Sequence, residues 1–238
     1  CLEAARGKAD AGQYAEAMKL LALVEPACAK AEKLADEASQ YESEVVALLS
    51  QLAGWRQHEQ AEAGETEFLL VDAKISAAAQ LADLKTRNYL GATSLLREGQ
   101  VLGDSGEQLC EKAQAYLEAR ATCADTLVTL GRHAQIRAIT PESEALGQQL
   151  LAADELASVE QRRYDEAMAG LKRIDEGVKA AKALADECQD YHEDLARVQS
   201  FVEQCAKLPQ ADAAEPELAA AAQKLSAAAA QAAPDQRA

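Results

Sequence analysis

All six tyrosines of this chain fall in two columns of a roughly 75-residue internal repeat: Tyr14, Tyr89 and Tyr164 in one, Tyr41, Tyr116 and Tyr191 in the other. The same register aligns Ala17 with Ala92 and Ala167, Leu21 with Leu96 and Leu171, and Glu67 with Glu142 and Glu217. A fixed period of this kind predicts like-built modules, each burying its apolar side against a neighbour. It constrains architecture and leaves the binding partner open.

The apolar share is 49%, much of it alanine, and only nine of 238 residues are aromatic. Such a chain packs by close approach of alanine- and leucine-lined backbones. No stretch combines β-branched residues with period-two alternation long enough to demand a sheet. The expected fold is therefore all-α, an elongated array of three roughly 75-residue helical repeats. Each repeat is an antiparallel helical hairpin or a three-helix unit. The expected divisions are a first repeat over 1–63, a second over 64–138, a third over 139–213, and a capping helix and tail over 214–238.

Helix starts are best marked at Thr140-Pro141-Glu142, where a hydroxyl can cap, proline suits the first turn and an acid meets the amino-terminal dipole. Glu65-Thr66-Glu67 and Glu215-Pro216-Glu217 are the equivalent places, with linkers expected at 61–64, 136–139 and 209–214. Apolar residues then recur at helical spacing toward the first tyrosine column, as in Leu146, Leu150, Ala153, Ala157 and Tyr164. Gly12 favours a turn before Tyr14, whereas Arg162-Arg163 gives no such signal before Tyr164. The choice between two and three helices per repeat stays open. Gly99, Gly103 and Gly106 around Asp104-Ser105 predict an interruption in the middle copy, with Ser105 and Gln108 as a capping box. Pro26 lies at the matching level of the first copy, where it opens a helix or kinks one. Beyond it, Cys28, Ala31, Ala35, Ala38, Tyr41, Val45, Leu48, Leu52 and Trp55 follow 3–4 spacing.

Forty acidic against 24 basic side chains give a formal charge of −16. That surface repels a phosphate backbone, and no arginine- and lysine-rich stripe with interleaved aromatics offsets it, so a nucleic-acid partner is not expected. A protein partner, basic in character, suits it better. No run of 18 apolar residues predicts a transmembrane segment.

The tyrosines are expected to brace helix contacts with a hydroxyl at the edge, in preference to forming a cage for cations or sugars. His58 and His133 share one repeat position and read as helix-end residues. Six cysteines without a CxxC pair, and three histidines, predict neither zinc nor haem, and no cofactor is expected. In an oxidising compartment a disulfide is the open alternative to plain buried thiols. Cys110 and Cys188 lie three positions apart once the period is subtracted, and Cys123 and Cys205 seven. Parallel long helices in the same register would let the first pair meet. Adjacent acids such as Asp36-Glu37 and Asp186-Glu187 do not face one another on a helix. No phosphate loop, nucleophile elbow or HExxH sequence occurs, and no catalytic residue is assigned.

Gly12-Gln13-Tyr14-Ala15-Glu16-Ala17, followed by Leu21 and Val24, resembles the second helix of a tetratricopeptide repeat, although the long period departs from that family. Pro141-Glu142 through Leu150 to Tyr164-Asp165-Glu166-Ala167 resembles alanine-rich helical bacterial envelope lipoproteins of unknown function. The first residue, Cys1, is similar to the lipidated start of bacterial lipoproteins; together these resemblances imply a lipid anchor on Cys1 and a periplasmic or outer-membrane location, a cytoplasmic one being the alternative. The expected function is a non-enzymatic scaffold or spacer for protein–protein interaction. The alternatives are a small-molecule or cofactor-binding module and an oligomerising coiled-coil structural protein.

Overall fold

The computed structural model describes residues 1–209 and 211–231; the expected tail, at 232–238, and Gln210 lie outside them. Eight α-helices and two short 3-10 turns, with no strand, make up the regular structure among the described residues. The fold is all-α. It divides into two compact units, Cys1–Gln114 and Ala115–Ala238.

Unit 1 holds α1 (Leu2–Asp10), α2 (Tyr14–Leu21), α3 (Val24–Trp55), α4 (Ala61–Ala82) and the first part of α5 (Tyr89–Gly131). Its core is a three-helix bundle of α3, α4 and α5. Leu48, Leu52 and Trp55 come from α3, Phe68, Val71 and Ala78 from α4, and Ala92, Leu96 and Cys110 from α5. Each of the larger side chains contributes about 1.5–3 kcal/mol by burial. Trp55 stacks on Phe68 with ring centroids 6.0 Å apart, and Lys74 reaches Glu98 at 2.5 Å. Residue numbers fall along α4 as they rise along α3 and α5. Hence α4 is antiparallel to both, and α3 and α5 run the same way, with Tyr41 against Tyr89 at 6.1 Å and Arg97 donating to Glu44 at 2.9 Å.

Unit 2 takes the remainder of α5, then α6 (Thr140–Leu156), α7 (Tyr164–Ala206) and α8 (Glu215–Gln231), with 3-10 turns at Ile136–Ile139 and Ala211–Ala214. Along α7 the buried positions Tyr164, Ala167, Leu171, Ile174, Val178, Ala181, Ala185 and Cys188 follow the 3–4 spacing of a single apolar stripe. Leu146 and Ala153 of α6 are buried as well.

Several expectations about the helix boundaries change. The glycines at 99, 103 and 106 do not break the chain: α5 is continuous for 43 residues. A Cβ at Gly103 would overlap the Trp55 ring, and one at Gly64 would lie 2.6 Å from the Gly106 carbonyl. These glycines are sockets for partner helices, and a continuous helix tolerates the propensity cost of about 1 kcal/mol each because packing offsets it. For the same reason 61–64 is not a linker. It is the first turn of α4, brought close to α5 by Gly64. α6 and α8 do start at Thr140 and Glu215. Thr140 is no cap, however, because its hydroxyl hydrogen-bonds back to the carbonyls of Ile136 and Arg137. In the first copy the break falls at 22–23, ahead of Pro26, which sits in the first turn of α3.

Turns precede the first tyrosine column everywhere, and α2, α5 and α7 each begin on its tyrosine. Gly12, Arg87 and Arg162 supply the positive φ values, 73°, 50° and 52°. At the two arginines the side chain compensates: Nε donates to Leu84 O at 2.9 Å and to Val159 O at 3.2 Å. Asn88 then caps α5, its Oδ1 accepting the Gly91 amide.

Candidate functional site

The long helices are not in register with one another. In unit 1 Arg97 meets Glu44; in unit 2 His133 meets Asp186 and Gln135 meets the Cys188 thiol; each pair is 53 residues apart in sequence. Positions one period apart are thus offset by about six helical turns along such a seam, roughly 33 Å at about 1.5 Å per residue. This overturns the disulfide expected of Cys110 and Cys188. Their spacing, one period and three positions, suits helices in register, and the seams are staggered. All six cysteines are unbridged thiols. Cys110 is buried in the unit 1 core, where burial raises its thiol pKa and the Gly64 backbone partly opposes the rise. Cys123, also buried, is raised by the same cause. Cys188 lies beside Gln135, and Cys1 and Cys28 are exposed.

The tyrosine columns do not share one environment. Tyr164 is buried, Tyr89 is half-buried, and Tyr14 is exposed; in the second column Tyr116 is buried while Tyr41 and Tyr191 are half-buried. Tyr116 belongs to a polar clasp that sequence reading missed. Its hydroxyl donates to Asp154 Oδ1 at 2.6 Å, and Arg120 grips the same carboxylate through two bonds of 2.7 and 2.9 Å. The Arg120 guanidinium, with help from Tyr116, holds the Asp154 carboxyl below its usual range against the opposing effect of burial. Burial, then the Asp154 hydrogen bond, pushes the Tyr116 phenol well above its usual value. The only sequence signal for this clasp was Arg120 one turn after Tyr116. Asp154 stands on another helix, far along the chain, and could not be matched to it.

A groove of about 430 Å³ in unit 2 is lined by α5 residues including Thr126 and Thr129, by His133 in the turn after α5, and by Val178 and Lys182 of α7. Its hydroxyls and imidazole are already engaged. Thr122, Thr126 and Thr129 donate to backbone carbonyls of their own helix. His133 Nδ1 accepts the Gln135 amide, so the neutral ring carries its proton on Nε2 and donates it to Asp186 at 3.0 Å. His58 accepts the Gln60 amide in the same way. Both histidines therefore close the turn after a long helix. No cluster of three metal-ligating side chains occurs among the described residues, and none of their helices is long and apolar enough to cross a membrane.

A further concave surface, in unit 1, is mostly apolar, with Glu3 and Arg6 also lining it. Leu2, Ala5 and Ala9 of α1 face Ala17 and Leu21 of α2 across a groove of about 370 Å³. On the far part of α7 and just beyond it, Val198, Phe201 and Leu208 are exposed. Comparison with protein-family profiles, curated proteins and solved structures finds no match.

Proposed function

We propose that the chain is a non-enzymatic scaffold or spacer built from three copies of one repeated unit, and that it works by holding protein-binding surfaces on paired helices. The observation that carries this reading is the recurrence of element bounds. α5 and α7 are each 43 residues long, start at Tyr89 and Tyr164, and are followed by 3-10 turns at Ile136–Ile139 and Ala211–Ala214. The three positive-φ residues, Gly12, Arg87 and Arg162, fall at the same spacing. Local backbone strain recurring at one repeat position supports a shared module better than convergent composition does.

Deletion of residues 89–163, one period, tests the module. It joins Asn88 to Tyr164, which takes the place of Tyr89. A helical chain that still melts cooperatively is the expected product. A molten or unfolded product contradicts interchangeable copies. The reading as a small-molecule site rests on the groove beside His133, whose hydroxyls and imidazole are engaged within the protein.

A further inference from the structure

We propose that a second copy of this chain docks on the apolar seam at the far part of α7, using its own α1–α2 groove; the proposal rests on the three-copy reading above. Within the chain the same contact is made twice. In unit 1 the far part of α3 lies along the start of α5, with Tyr41 against Tyr89 and Leu48 against Gly99. In unit 2 the last turns of α5 and the turn after them lie along α7 in the same direction, with His133 at Asp186 and Gln135 at Cys188, each again 53 residues apart. Each seam joins the later part of one long helix to the earlier part of the next.

Two faces of this kind are left over. Leu21 is 42% exposed, while Leu96 and Leu171, one and two periods on, are 2% and 4% exposed. Val198 is 40% exposed, while Leu48 and Cys123 at the matching positions are 2% and 6% exposed. The exposed groove has the residues that receive a seam, and the exposed α7 face has the residues that enter one. By the internal precedent Tyr191, Leu195 and Val198 of one copy enter beside Tyr14, Ala17 and Leu21 of the other.

Tyr191 adds a second sign of an incomplete contact. Its hydroxyl is buried without a hydrogen-bond partner among the described residues, whereas Tyr116 donates to Asp154; one period on from Asp154 stands Ala229. Charge is compatible with this pairing. Residues 1–24 carry three acidic and three basic side chains, and residues 189–231 carry seven acidic and three basic. A neutral end meeting an acidic one avoids the repulsion that two surfaces of a −16 chain otherwise impose. The two faces differ, so the interface is heterologous and each copy retains one free face for another.

Sedimentation velocity on the whole chain tests this, with Leu21→Lys and Val198→Lys as variants. Both positions are exposed, so each variant keeps the helix content and melting temperature of the monomer. Wild type is expected to grow in mass with concentration, more strongly in moderate salt, where repulsion between acidic copies is screened. Each variant alone is expected to lose association at least about a hundredfold, because a lysine enters an apolar seam. An equimolar mixture of the two has one intact groove and one intact seam, and is expected to stop at two chains. A wild type monomeric up to about 1 mM, variants that still associate, or a mixture that behaves as its parts overturns the proposal. The deletion of residues 89–163 separates the two readings. If it folds cooperatively while wild type stays monomeric, only self-association fails. If it is molten, the three-copy reading fails as well.

Discussion

The indole of Trp55 occupies the space that a side chain at Gly103 would need, so α3 and α5 approach each other there over a bare backbone. Gly103→Ala forces the indole out of its stack on Phe68. Overpacking of this kind costs about 1–3 kcal/mol, more than the gain of up to about 1 kcal/mol in helix propensity. Gly147, in α6, has open space around it, and Gly147→Ala is expected to stabilise by about 0.5–1 kcal/mol. Urea unfolding of the two variants should give shifts of opposite sign.

Asp154→Asn removes the carboxylate that Arg120 and Tyr116 share. The clasp is only partly buried, so solvent screening limits the loss at neutral pH to about 1 kcal/mol. The folded-state pKa of Asp154 is lowered, chiefly by Arg120. Its contribution is therefore present above the unfolded aspartate value of about 4 and is lost as pH falls through the lowered folded value. Thermal melts of wild type and variant should differ near pH 7 and converge toward the acid end of that range. A difference that persists in strong acid assigns the loss to packing instead.

Thiols in contrasting settings give a chemical readout. Cys1 and Cys28 should react quickly with a thiol reagent, and Cys110 and Cys123 only as the chain opens, because burial both shields them and keeps the thiol protonated. Mass of the folded protein before and after reduction should be unchanged. A two-hydrogen gain would report a bond that the staggered seams do not accommodate.

Gly12 takes φ of 73° with open space where a side chain would stand. Gly12→Ala should therefore cost about 1 kcal/mol through backbone strain alone. Chemical denaturation of the variant measures this directly; a neutral result implies that the turn before α2 relaxes.

Much of the local structure was legible because its causes are local. The lack of strand patterning pointed to the all-α class, and proline beside glutamate marked the starts of α6 and α8. The interruption expected at Gly99–Gly106 failed because those glycines answer to Trp55 and Phe68, which stand on other helices and whose approach no local signal encodes. Arg87 and Arg162 hid two turns, since arginine in a left-handed conformation is disfavoured until its guanidinium finds a carbonyl in the same turn. The Cys110–Cys188 pairing assumed helices in register. Axial stagger is a property of packed neighbours, and periodicity along one chain carries no information about it.

The central claim is that one staggered seam is built more than once from equivalent residues. Double electron–electron resonance tests it in a cysteine-free background, with labels at 44 and 97 and, separately, at 119 and 172, one period on. The account predicts the same short, narrow distance for both pairs, because Ala119 and Lys172 should face each other as Glu44 and Arg97 do. A long or broad distribution for 119 and 172 beside a short one for 44 and 97 would contradict it.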